Sequence, residues 1–402
     1  MVRLISTLLF VVAVLAPKTP AFAQQRAPWP TDGWTAASPE SQSLRAAPLR
    51  ALHEAIGTGR HGYVDRVFVV RNGHAVFNER YSHDYTSISR GHQSPLGCGH
   101  DSCAAWDKGY EYNYLHPSTH PFYQGRDLHS LQSVTKSVAS ALIGIAIQRG
   151  EVENVDAPLL SFFQDYDVSD VDHRLRDATL ADLLTMRSGI EWHEQDRPLD
   201  ATNTTLRLER SADWIQFTLD QPMDAAPGEK WVYSSGGSQL MSGIIRQATG
   251  LHADAYAEQH LFGPLGIREY HWKKTPKAYA DTEGGLYLEA EQLAKIAYLY
   301  LRGGVWDGRR ILPPGWAEAS VERHVDRVNG AGWGYGYQWW RLDQAGTDIW
   351  AGLGFGGQFL LIMPQYDLIG VVNSWNLFGG NQSSILPAFI DALRQAAGAE
   401  AR

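Results

Sequence analysis

Residues 131–150 read LQSVTKSVASALIGIAIQRG, an apolar run of helical length in which Lys136 is the only charge from Leu131 until Arg149. Ser133 and Lys136 stand three apart and share one face of a helix. That face continues through Ser137, Ser140 and Gly144 as a narrow small and polar stripe, while Val134, Val138, Ala141, Leu142 and Ile145 fill the rest. An ammonium buried without partners is costly, and its usual response is a pKa pulled down until the amine loses its proton near neutrality. A neutral amine one turn from a serine hydroxyl at a helix N-terminus can take that hydroxyl's proton, and the first-turn amides can stabilise anionic charge nearby. This is the chemistry of Ser-Lys nucleophilic catalysis. Two residues at this spacing are a common pattern, and the competing reading is a lysine that snorkels to the surface from a first turn.

About a hundred residues on, PGEKWVYSSGGSQLMSGII (227–245) adds a second element. Pro227-Gly228 makes a turn, a short extended run places Tyr233 before a helix expected to start near Ser238, and Ser234 and Ser235 supply capping hydroxyls. A phenol there can relay a proton between an amine and a serine, or act as the base if its pKa is depressed; a core tyrosine is the plainer reading. The third element is GLGFGGQFLLIMP (352–364), where Gly352, Gly354, Gly356 and Gly357 crowd the start of a strand. Glycine weakens a strand unless something approaches its backbone closely. An acyl substrate laid along it needs that access, and an N–H there could complete an oxyanion hole with the N–H of Ser133; a bulge or bend is the alternative.

The flanking chain indicates the fold. YVDRVFVVRNGHAVFNERY (63–81) is two β-rich runs joined by Asn72-Gly73, a strong hairpin signal. A helical middle, roughly residues 133–325, includes LADLLTMRS stopped by Gly189, SADWIQFTLD capped by Ser211, SQLMSGIIRQAT stopped by Gly250, EAEQLAKIAYLYLR stopped by Gly303 and PPGWAEASVER opened by Pro313. Strands return in YGYQWWRL, IWAGL, GQFLLIMP and LIGVVNSW, followed by an amphipathic helix from Ile385 to Ala397. The expected fold class is α+β: an antiparallel sheet of N- and C-terminal strands flanked by helices as an α/β sandwich, with a mostly helical lobe inserted over about residues 145–280. A cleft between the two parts is where a site belongs.

Residues 1–23 have the layout of a secretory leader, with Arg3, an apolar run from Leu4 to Ala16 and Ala21-Phe22-Ala23 as a cleavage site. A periplasmic or secreted domain over 24–402, cut after Ala23, is the expectation. No later stretch approaches the 18 or more apolar residues of a membrane span. Without Arg3 and Lys18 the chain carries 33 basic against 44 acidic residues, which disfavours nucleic acid as a partner. Both cysteines lie in CGHDSC, so in an oxidising compartment a Cys98–Cys103 disulfide is the leading reading. His83, His92, His100, His116, His120 and His129 crowd this region and raise a metal reading, but their spacing matches no zinc pattern; two free thiols are the remaining option. The Gly-, Pro- and His-rich stretch 81–126 reads as a functional surface loop able to reshape the cleft.

The three elements, in this order, resemble the serine β-lactamase and penicillin-binding-protein superfamily, in particular its class C-like branch of esterases, D-amino-acid peptidases and 6-aminohexanoate-dimer hydrolases. Ser133-Val134-Thr135-Lys136 matches its S-x-x-K, Tyr233-Ser234-Ser235 its Y-x-S, and Phe355-Gly356-Gly357 followed by Gln358 its strand motif. The phrases LLTMRSGIEW, LFGPLGI and WGYGYQWW are similar too, and the likeness covers most of the chain after about Leu128. The resemblance implies Ser133 as acylated nucleophile, Lys136 as base or proton reservoir, Tyr233 as proton relay, the N–H groups of Ser133 and Gln358 as oxyanion hole, and Ser235, Gly356 and Gly357 as substrate contacts. Which of Lys136 and Tyr233 removes the serine proton stays open.

Two departures shape the expected activity. Ser235 stands where an asparagine usually grips the substrate amide, and the third motif lacks the lysine or histidine that attracts a substrate carboxylate. Both turn the expectation from a β-lactamase toward the esterase and 6-aminohexanoate-dimer hydrolase branch: a serine hydrolase acting on a small-molecule ester or linear amide, with no cofactor and no metal. A peptidase or β-lactamase, and a catalytically silent binding or sensor domain, are the alternatives. The polar cluster EWHEQD, Glu191 to Asp196, reads as a solvated loop, with capture of a substrate ammonium as its other reading. The aromatic run Trp333 to Trp340 reads as sheet packing rather than a ligand cage.

Overall fold

The computed structural model describes residues 29–84, 128–198, 200–328, 332–376 and 382–399. The leader-like segment, Cys98, Cys103 and four of the six histidines lie outside them.

The hairpin forms where Asn72-Gly73 places it. β2 (Val64–Arg71) and β3 (His74–Arg80) pair antiparallel, with φ at 52° for Asn72 and 78° for Gly73, the left-handed pair that a two-residue hairpin turn requires. A two-residue strand, β1 (Thr35–Ala36), lies parallel to β3, the one departure from an antiparallel sheet. The C-terminal part supplies β4 (Val325–Val328), β5 (Trp333–Tyr335), β6 (Trp340–Gln344), β7 (Thr347–Gly354), β8 (Gln358–Met363) and β9 (Leu368–Ser374). The sheet order is β1-β3-β2-β9-β8-β7-β6-β5-β4, so the two ends of the chain meet at β2 and β9.

Alternating side chains put this sheet between two cores. Phe68, Val70, Leu360, Ile362, Ile369 and Val371 pack into one apolar cluster, and Val67, Val69, Leu361, Met363, Leu368 and Val372 into the other. Helices α1 (Ala46–Gly57) and α6 (Gln382–Ala396) pack together on the second face, where Leu49, Leu52, Ile56, Phe389 and Leu393 join the cluster. On the first face lie α2 (Val134–Gln148) and α5 (Ala290–Leu301). Burial on both faces explains why β8 and β9 read as continuous apolar runs. Among the described residues no helix is long and apolar enough to cross a membrane.

Between the strand-forming ends the chain is mostly helical, including α3 (Thr204–Glu209) and α4 (Ser235–Thr249). One expected cap is displaced: Asp213, not Ser211, caps the helix of SADWIQFTLD, its carboxylate accepting from the amides of Ile215 and Gln216. The carboxylate sits where two first-turn N–H groups need an acceptor, and Ser211 lies two residues too early.

Candidate active site

α2 is buried from Val134 to Ala146, so its N-terminus reaches the cleft only at the first turn. Gln132 enters at φ 48°, a left-handed conformation uncommon for a side chain of this kind, and Ser133 follows in helical geometry. Farther along the stripe the small residues serve packing. Ser137 Oγ donates to the Gln338 carbonyl at 2.7 Å, and a Cβ on Gly144 would stand 2.6 Å from the Trp316 indole.

Lys136 is only 1% exposed, and its amine has four acceptors. Nζ donates to Ser133 Oγ at 3.0 Å, Ser235 Oγ at 3.1 Å, the Glu283 carbonyl at 2.6 Å and Glu283 Oε2 at 3.2 Å. Ser235 Oγ in turn donates to Glu194 Oε1 at 2.9 Å, and the Ser235 amide donates to Glu194 Oε2 at 2.9 Å. The result is an unbroken chain from Ser133 through Lys136 and Ser235 to Glu194. Tyr233, buried, hydrogen-bonds Ser133, and Lys136 Nζ lies 5.3 Å from its ring centre.

These partners overturn the expected neutral amine. Burial does pull Lys136 down, but the charge of Tyr233 when ionised, of Glu283 and of Glu194, with the Glu283 hydrogen bond, outweighs it and lifts the amine above its ordinary value. Burial likewise pushes the Tyr233 phenol up, opposed by Lys136. Glu194 is raised, by burial first, with Lys136 pulling it down. At rest Lys136 is an ammonium, and Tyr233 a phenol.

The third element lies against α2. A Cβ on Gly354 would stand 2.5 Å from the Leu131 carbonyl, so the backbone that approaches this glycine closely is the segment leading into α2. The expectation that a substrate strand sets the glycine requirement is replaced there by helix packing. Gly356 and Gly357 form the β7–β8 turn at φ 77° and 94°, and the cavity is lined instead by Leu353, Gly354 and Phe355. Gln358 opens β8 opposite Gly354, its side chain fully buried against Asn373 and the Ser374 carbonyl.

The cavity beside Ser133 measures about 500 Å³. Gln132, Tyr233, Ser235, Trp333 and Trp340 line it, together with Glu194, Arg197, Glu209 and Glu283. Trp340 also stacks on Tyr233 at 5.8 Å, so the aromatic run both packs and faces the cleft. A larger groove of about 650 Å³ beside α1 is lined by Trp34, Phe77 and Glu291 and has no part in the Ser133–Glu194 chain.

The matching family model is described as beta-lactamase, and it covers residues 64–393. The chain belongs to this family. A 6-aminohexanoate-dimer hydrolase of Paenarthrobacter ureafaciens is 24% identical over 270 residues, 62% of this chain and 67% of the relative. A solved structure of a putative 6-aminohexanoate-dimer hydrolase from Bacillus anthracis superposes with a TM-score of 0.62 at 19% identity, over 85% of this chain and 80% of that one. A D-stereospecific amidohydrolase from Streptomyces gives a TM-score of 0.60 at 16% identity, over 87% and 98%. The fold is that of beta-lactamase family hydrolases.

Within this family member, sequence reading passed over Glu209 and Glu283 and took Glu194 into the site only in the second reading of EWHEQD. Glu194 belongs to the EWHEQD loop read as solvated, yet it turns inward: Thr204 N bonds the His193 carbonyl and Asn203 Nδ2 the Glu194 carbonyl, while His193 ties down Glu191 and Asp196. A buried lysine signals that a carboxylate must be near, but nothing local distinguishes Glu194 and Glu283 among 44 acids. Of the two described histidines near the loop, His129 bonds Asp65 at 2.9 Å and His83 bonds the Val64 carbonyl.

Proposed function

We propose that this protein is a serine hydrolase cleaving esters or linear amides through an acyl-enzyme on Ser133. The observation that carries the reading is the position of Lys136 Nζ, buried between Ser133 Oγ and a hydroxyl–carboxylate pair, Ser235 and Glu194. A surface lysine has no use for such a chain.

Because Lys136 rests as an ammonium, it must first lose a proton before it can accept one. Lys136 passes a proton to Ser235 as Ser235 passes its own to Glu194, and the freed amine then takes the Ser133 proton as Oγ attacks the substrate carbonyl. The net transfer is from Ser133 to Glu194, whose raised pKa suits it to hold the proton. Tyr233 protonates the leaving alcohol or amine and is reprotonated from Lys136; Glu194 then returns its proton through Ser235 to Lys136, which restores the resting charges, and water repeats the sequence against the acyl-enzyme with Ser133 Oγ as the leaving group. The Ser133 N–H, in the first turn of α2 where no intrahelical acceptor exists, and the Gln358 N–H serve the oxyanion.

The relatives named as 6-aminohexanoate-dimer hydrolases support an acyclic amide as one substrate class. Export is part of the proposal: the Met1–Ala23 segment supports it, and N-terminal sequencing of the mature protein checks it. Ser133→Ala is expected to reduce nitrophenyl-ester hydrolysis at least about a thousandfold, and a fluorophosphonate is expected to add its mass at Ser133. Undiminished turnover in Ser133→Ala removes the acyl-enzyme from consideration.

A further inference from the structure

Two acids of the cavity are committed to Lys136: Glu283 bonds it directly and Glu194 through Ser235. Glu209, at the C-terminal end of α3, is not. It is 5% exposed, it lines the same cavity, and its Oε1 is buried without a hydrogen bond from any described residue. A buried carboxylate oxygen without a donor forfeits the solvation of its charge, so such a group persists in a binding wall when a ligand supplies the donor. Its surroundings deepen the need. Burial first, then the like charge of Glu283 and Asp281, holds the Glu209 carboxyl well above the usual carboxylate range; Lys273 and Arg210 oppose this, but Lys273 also answers Asp281, so an arriving ammonium is the counter-charge that favours its ionised form. Lys136 and Lys273, the buried ammonium groups here, thus face four carboxyls: Glu194, Glu209, Asp281 and Glu283.

The sheet side of the cavity contributes Leu353, Gly354, Phe355, Trp333 and Trp340, none of them cationic, and Phe355-Gly356-Gly357 carries no lysine or histidine. Arg197, the cation in the lining, stands half-exposed near Asp196. A substrate carboxylate therefore meets carboxyls, and a substrate ammonium meets an acceptor without a donor. We infer that the cavity beside Ser133 binds the ammonium group of a cationic ester or amide, with Glu209 as its anchor. This rests on the serine-hydrolase reading for turnover, but not for binding. Glu209 acts as a specificity-determining residue: a charge-assisted hydrogen bond to an ammonium is gained, whereas a neutral or anionic substrate leaves the carboxyl unpaired.

The test compares nitrophenyl esters of 6-aminohexanoic, hexanoic and adipic acids on the wild-type protein and on Glu209→Gln. Expected is a wild-type kcat/KM about tenfold or more higher for the ammonium ester than for the neutral one, carried mainly by KM, with the adipate ester lowest. In Glu209→Gln the ammonium-to-neutral ratio falls toward one. A wild-type ratio within about twofold of one, or a ratio that Glu209→Gln leaves unchanged, overturns the assignment. Should Glu209→Gln not fold, the wild-type panel alone decides. Binding of hexylammonium chloride against hexanol to Ser133→Ala, read by calorimetry, separates the two ideas. Preference for hexylammonium with no turnover of any ester in the wild type sinks the serine mechanism and keeps the ammonium site, whereas ester turnover with no such preference does the reverse.

Discussion

The cavity lining divides by origin in the chain. Residues from the C-terminal strands bring Trp333, Trp340, Leu353, Gly354 and Phe355, with no ionisable group among them, whereas residues 194–283 bring Glu194, Arg197, Glu209, Tyr233 and Glu283. The first group works through shape and backbone. Gly354 lets the Leu131 carbonyl sit where a side chain would otherwise be, which holds the strand against the start of α2. The second group works through charge: Glu283 and Glu194 are tied to Lys136, and Glu209 stands apart from it. Apolar surface beside the acids raises the cost of an unpaired charge, so the strand wall sharpens the electrostatics of the other.

Removing the central cation strikes this division hardest. Lys136→Met is expected to lower ester turnover about a thousandfold and to destabilise the protein by about 3–5 kcal/mol, because Glu283 is left buried without its counter-charge. Adding Glu283→Gln is expected to restore much of the stability and none of the turnover, measured by urea unfolding beside a kinetic assay. If the single variant unfolds like the wild type, the ammonium–carboxylate pair is not holding the wall together.

The strand wall is challenged by Gly354→Val. The new side chain meets the Leu131 carbonyl, and displacing Ser133 by a fraction of an ångström is expected to cost about a hundredfold in kcat with about 1–3 kcal/mol of stability. Substitution at Gly356, in the turn outside the lining, is expected to affect folding through its positive φ more than substrate KM.

Glu194→Gln probes the relay with less disturbance. Glutamine still accepts from Ser235 but cannot take a proton, so kcat is expected to drop about tenfold to a hundredfold with thermal stability nearly kept. Equal kcat in the two proteins across pH 6–9 would show the Lys136 proton leaving by another route.

The smallest effect is on the pH dependence of stability. Burial, with Glu283 beside it, raises Asp281 from the usual 3.8 to about 7. Its folded form keeps a proton that the unfolded chain has already released, so this group's contribution is full below about pH 4 and is lost as pH rises through 7. Asp281→Asn does not titrate, and its melting temperature is expected to gain on the wild type between pH 4 and 7 and then stay level. A constant gap across that range would mean that Asp281 is ionised in the fold throughout.

Local signals were legible in the sequence. Asn72-Gly73 makes its turn from two residues, Gly250 ends α4 in a left-handed conformation, and the apolar runs of β8 and β9 declare burial on both faces. Motif order placed Ser133, Lys136, Tyr233 and Ser235 in one site, and the fold brings all four together. The cap at Asp213 in place of Ser211 was harder, since both residue types cap helices and only the backbone path selects between them.

By itself the sequence determined a sheet closed from both ends of the chain and a serine one turn from a buried lysine, because hydrophobic period and helical spacing are properties of neighbouring residues. The tertiary structure decided the charge of that lysine and the character of the cavity. A pKa depends on which groups lie within a few ångströms, and Glu194, Glu209 and Glu283 arrive from separate loops and helices. A neutral amine follows from Lys136 read alone; an ammonium follows once Glu283 stands beside it.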